Sequence, residues 1–73
     1  MRQYIVRLSG SVGVATLEIT RQEMDDDHIR AWADRALPNY WPVYYKMHVF
    51  RDDDEDNTLV ADLTSYVVVR SEP

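Results

Sequence analysis

Thirteen carboxylates, two histidines, five tyrosines and four serines are the side chains of this chain that could move a proton, hold a metal or attack a carbonyl, and there is no cysteine. Without thiols there are no disulfides, thiolate metal sites or Cys nucleophiles. A zinc site would need His28, His48 and a carboxylate together. His28 falls at the margin of a helical apolar stripe and His48 on an outward strand row, so the two belong to opposite sides of a sheet. Ser9, Ser11, Ser65 and Ser71 lack a nucleophile-elbow context. With only Gly10 and Gly13, no glycine-rich phosphate loop exists. The carboxylates lie in exposed runs, where nothing raises one pKa above its neighbour's. The expectation is a protein that is not an enzyme and carries no metal or cofactor.

The densest of these runs is Asp52-Asp53-Asp54-Glu55-Asp56-Asn57. It is not an EF-hand: its sixth position is Asn57 where glycine is required, and its twelfth is Leu63 where glutamate is required. The tract carries a charge of −5, which equals the net charge of the whole chain. The rest of the molecule is therefore balanced, and the tract reads as a solvated hairpin tip or a docking knob for a basic partner.

The elements that position these groups follow from hydropathy. Residues 2–9 alternate as a strand, with Tyr4, Val6 and Leu8 in one row. Residues 12–20 alternate as a second strand after the Ser9-Gly10-Ser11 turn signal, which predicts an antiparallel hairpin. Thr20 and Glu23 have capping-box spacing, with Ile19 and Met24 as the hydrophobic staple, so a helix is expected from there to Leu37, before Pro38. Met24, His28, Ile29, Trp32, Ala33 and Ala36 fall on its core face; Asp26, Asp27, Arg30 and Asp34 fall on the wet face, with Asp26 and Arg30 as an i,i+4 pair. Residues 43–51 form a third strand, with Val43, Tyr45, Met47 and Val49 inward and Tyr44, Lys46, His48 and Phe50 outward. Residues 58–70 form a fourth, with Leu59, Ala61 and Leu63 inward and Val60, Asp62, Tyr66 and Val68 outward. The reading is a single α+β domain over residues 1–73: ββαββ, a four-stranded, largely antiparallel sheet with one helix packed on one face.

Four strands span roughly 19 Å at about 4.8 Å spacing. One helix, roughly 10 Å wide, covers about half of one face. The other face keeps Ile5, Val14, Tyr44, Phe50, Val60, Tyr66 and Val68 among Arg7, Lys46, His48 and Asp62, an apolar field ringed by charge that suits an interface. A chain this small is also marginally stable alone. These points predict a non-enzymatic protein-interaction module, a small regulator or inhibitor that docks or dimerises through the helix-free face. Its partner-binding residues are Arg7, Tyr44, Lys46, His48, Phe50 and Tyr66, with Asp52, Asp53, Asp54, Glu55 and Asp56 as a secondary contact. The expected partner is a second copy, a larger protein, or both.

Two other functions fit the residues less closely. The acidic tract with Glu23, Asp25, Asp26 and Asp27 could imitate nucleic-acid phosphates and block a DNA- or RNA-binding enzyme. Tyr44, Phe50 and Tyr66 beside Arg7, Lys46 and Arg70 could stack single-stranded bases, although Glu18 and Asp62 leave that face far less basic than a nucleic-acid groove. No apolar run approaches the roughly 18 residues of a membrane span, and Met1-Arg2-Gln3-Tyr4-Ile5 does not open a signal peptide. A soluble, cytoplasmic chain is expected.

Overall fold

The computed structural model describes residues 1–65. Strand β1 (Arg2–Gly10) is followed by β2 (Leu17–Glu23), helix α1 (Asp26–Ala36), a 3-10 turn (Leu37–Tyr40), β3 (Tyr44–Arg51) and β4 (Leu59–Thr64). The strands form one antiparallel sheet in the order β2-β1-β3-β4, with the helix packed on one face. This is the α+β arrangement that the sequence predicts. The strand order, which hydropathy leaves open, places β1 and β3 at the centre.

The inner rows of the central strands are the apolar ones. Tyr4, Val6 and Leu8 of β1 and Met47 and Val49 of β3 are fully buried against Ile29, Ala33 and Leu37. The helix stops where expected, because Pro38 supplies no amide hydrogen; the Leu37 amide still donates to the Ala33 carbonyl.

The helix start is corrected. Thr20 and Glu23 are not a capping box. Residues 17–23 continue the β1 ladder, with Ile5 opposite Thr20 and Arg2 opposite Glu23. A strand partner satisfies the backbone there, so the local helix signal loses to tertiary pairing. The N-cap is Asp25, which accepts from the His28 amide at 2.9 Å. Met24 is 64% exposed and staples nothing. The second strand starts later than predicted, and residues 11–16 form a loop turning at Ser11 and Gly13, whose φ is +94°.

Two bulges correct the outward rows. Ser9 pairs with Lys46 but Gly10 pairs with Tyr44, so Tyr45 is the extra residue. Gly10 continues the inner row of Leu8, and its partner Tyr44 therefore lies on the helix side, packed against the core. Val49 pairs with Ala61 but Phe50 pairs with Leu59, so Val60 is the extra residue of β4. Val60 turns into the core and Leu59 turns out. Val14 sits in the β1–β2 loop, not on the sheet. The predicted fourth strand ends at Thr64, and its positions Tyr66, Val68 and Arg70 lie outside the described residues.

Candidate interaction surfaces

Strand pairing sorts the helix-free face into rows that cross the sheet. Glu18, Arg7, His48 and Asp62 form one; Thr20, Ile5, Phe50 and Leu59 form the next. In the first row, Arg7 Nε donates to Glu18 at 2.8 Å, and His48 Nε2 lies 3.2 Å from Asp62. The Arg7 guanidinium sits 5.1 Å from the Phe50 ring centroid, and His48 stacks beside that ring. Ile5, His48 and Phe50 are half-buried; Lys46 is exposed next to Thr64. The apolar part of this face is thus one row capped by paired charges. Of the predicted partner-binding residues, the structure brings together Arg7, His48 and Phe50 here with Lys46 alongside, and it removes Tyr44. Tyr44 instead meets Tyr40 edge-on and donates its hydroxyl to the Ala15 carbonyl at 3.1 Å.

The acidic tip is not a free knob. Arg2 makes a two-point contact with Asp53, at 3.1 and 2.9 Å. Gln3 donates to Asp52 at 2.9 Å, and the Asp52 amide returns to the Gln3 carbonyl. Asp54 accepts from the Thr58 amide and hydroxyl at 3.2 and 3.0 Å, with Arg51 3.7 Å away. Of the tract's five carboxylates, only Glu55 and Asp56 make no contact among the described residues. Hydrogen bonds and charge from Arg2 hold the Asp53 carboxyl below its usual range. Burial pushes Asp54 upward, but Thr58 and Arg51 outweigh it and its net displacement is downward.

Behind the tip lies a cluster that sequence reasoning missed. Asp26, assigned to the wet face of the helix, faces the sheet: Tyr4 donates to it at 2.7 Å, and Arg51 forms an ion pair with it. Arg51 chiefly, with Tyr4 and Arg2, lowers the Asp26 carboxyl to about 2. Burial, and then the bond to Asp26, raises the Tyr4 hydroxyl to about 12. Arg30, the expected partner of Asp26, instead meets Asp27 at 3.1 Å and donates to the Val60 carbonyl at 2.7 Å, tying the helix to the β4 bulge. A tyrosine alternating into the core with an acid in the first helical turn was the only available signal.

His28 reaches back to its own cap, with Nδ1 2.7 Å from Asp25. That bond raises the histidine and lowers the aspartate. The histidine's share of stability is present below about 6.5, its unfolded value, and fades as pH rises through the raised folded value. The aspartate's share is present above 3.8 and is lost as pH falls through its lowered value. Asp25→Ala should lower the urea midpoint, because the helix start loses its side-chain acceptor, and the His28 ring should titrate at lower pH in an NMR series. An unchanged His28 titration would mean the pair does not form.

Among the described residues, the opposite end is built from two segments without charge. Residues 8–17 and 36–45 contain no Asp, Glu, Lys or Arg. The pairing of Gly10 with Tyr44, of Leu8 with Leu17, and the Tyr44–Ala15 bond bring the two segments together. Val12, Val14, Leu17, Trp41 and Val43 are all exposed there, Val12 fully and Val43 by 51%. Composition arithmetic over elements does not find this end, because it becomes a patch only when β3 starts beside the end of β1.

Among the described residues, no group of three or more His, Asp or Glu side chains is placed to hold a metal. None of their helices is long and apolar enough to cross a membrane. Comparison with protein-family models, curated proteins and solved structures finds no match to this chain.

Proposed function

We propose that this chain is a non-enzymatic protein-interaction module that docks through its uncharged end. The observation that carries the reading is the convergence of two charge-free segments that expose Val12, Val14, Leu17, Trp41 and Val43. Apolar patches with a tryptophan and no charge at their centre resemble the core of a protein interface, with charges left to the rim. We read the chain's mode as occupancy of a partner surface, that of a small regulator or inhibitor.

The helix-free face is the second reading, favoured by the single row of Ile5, Phe50 and the exposed Leu59. Phosphate mimicry has less support, since Asp52, Asp53 and Asp54 already bind groups of this chain. Base stacking relies on Phe50 with its neighbouring Arg7 engaged by Glu18.

A photo-reactive group placed at Val43 should give one discrete adduct in an extract of the source cell, and Val12→Lys with Trp41→Ser should abolish it while the far-UV spectrum stays unchanged. An adduct formed only from position 59 would move docking to the helix-free face. No discrete adduct from either position would remove the reading.

A further inference from the structure

Among the described residues, strand β2 lies at the sheet edge and is paired on one side only. Its seven residues run in unbroken register with β1 and contain no proline or bulge, and of its three charges Arg21 and Glu23 are bonded to each other and Glu18 to Arg7. The opposite edge strand, β4, is interrupted by the Val60 bulge. We propose that β2 pairs antiparallel with β2 of a second copy across a twofold axis at Thr20, joining two sheets into one of eight strands.

The residue pattern selects both partner and register. Residues opposite each other in an antiparallel pair share a face, so the axis falls on a residue. With the axis at Thr20, all seven positions are matched: Thr20 meets Thr20, Glu18 meets Gln22, Ile19 meets Arg21 and Leu17 meets Glu23 of the second copy. No like charges stand directly opposite, and Gln22 can donate to the Glu18 carboxylate. Arg21 is prearranged for this, its guanidinium 4.3 Å from the Trp32 ring centroid and bonded to Glu23 at 2.7 Å, so its stem offers Ile19 of the second copy a fixed apolar surface. Moving the axis to Arg21 sets two guanidiniums opposite each other. Moving it to Ile19 leaves Gln22 and Glu23 unmatched. An edge that matches itself without opposing like charges, and with a Glu18–Gln22 hydrogen bond on each side of the axis, fits an isologous twofold contact. This surface borders the uncharged end and shares Leu17 with it, while Val12, Val14, Trp41 and Val43 lie outside the strand.

Because the chain lacks cysteine, a single Thr20→Cys substitution reports the axis directly. Directly opposed α-carbons lie about 4.5–5.5 Å apart in an antiparallel pair, within disulfide range. Mild oxidation should convert the folded Thr20→Cys protein to a covalent dimer, and the same treatment in urea should not. Light scattering of the unmodified chain should give twice 8.6 kDa. Thr20→Lys should return the mass to that of a monomer with an unchanged far-UV spectrum, and Val43→Lys should leave the dimer intact. A monomer at the highest soluble concentration overturns the proposal. So does a dimer that survives Thr20→Lys, or one that cross-links through Gln22→Cys and not through Thr20→Cys.

Discussion

Gly10→Ala is expected to destabilise the domain by about 3 kcal/mol, near the upper end for overpacking, read as a lower urea midpoint with little change in slope. A methyl group at Gly10 would overlap the Val43 carbonyl oxygen and lie 3.1 Å from its carbon. Both are main-chain atoms, so no rotamer change relieves the clash. The cost is steric, because β1 and β3 must separate where Tyr44 crosses Gly10 and the Tyr45 bulge begins. Gly13→Ala supplies the contrast. That glycine has open space around it but a positive φ, so its replacement should cost only about 1 kcal/mol, through backbone conformation. If Gly10→Ala costs no more than Gly13→Ala, the close approach of the strands is wrong. Gly10→Ala should also weaken docking, since it pushes apart the two segments that form the uncharged end.

Asp26→Ala is the second large effect. Its carboxylate, 18% exposed, receives Tyr4 and Arg51 together, and deletion leaves the hydroxyl of a residue that is otherwise fully buried without its acceptor. The displacement of Asp26 from 3.8 to about 2 corresponds to roughly 2 kcal/mol at neutral pH. Because the folded value is the lower one, that stability is complete above 3.8 and disappears as pH falls through about 2. The gap in urea midpoint between native and Asp26→Ala proteins should therefore be wide at pH 7 and nearly closed at the acid limit. Tyr4 gives an independent alkaline readout. Its raised value contributes stability below 10 that is lost as pH climbs through about 12, and absorbance at 295 nm should show its late step moving to lower pH in Asp26→Ala. A Tyr4 step that does not move would place the cause in burial alone. The carboxamide of Asp26→Asn keeps an acceptor for Tyr4 but not the charge, so it should recover part of the loss.

Strands and inner rows were legible where alternation was uninterrupted. Tyr4, Val6 and Leu8 are buried as their spacing predicts, and the helix ends at Pro38 for the reason its ring supplies. What failed has a common origin in long-range pairing. Thr20 and Glu23 look like a cap because the reading is local; their partners Ile5 and Arg2 lie far back in the chain. Tyr44 and Val60 were assigned to the wrong faces because a bulge is invisible to a period-two pattern and reverses the facing of every residue beyond it. The acidic tract was found as a hairpin tip, but its attachment to Arg2 and Gln3 depends on β1 lying next to β3, which neither hairpin encodes alone.

The bulges also bear on how relatives of this chain would differ in length. Deleting Tyr45 would let Tyr44 oppose Gly10 by regular pairing, and deleting Val60 would let Leu59 follow Ala61 in the same way, each leaving the flanking partners in place. Gaps between homologous sequences would accordingly fall inside these two strands, where insertions are seldom tolerated, and the loops would not be the sole places where such molecules gain or shed a residue.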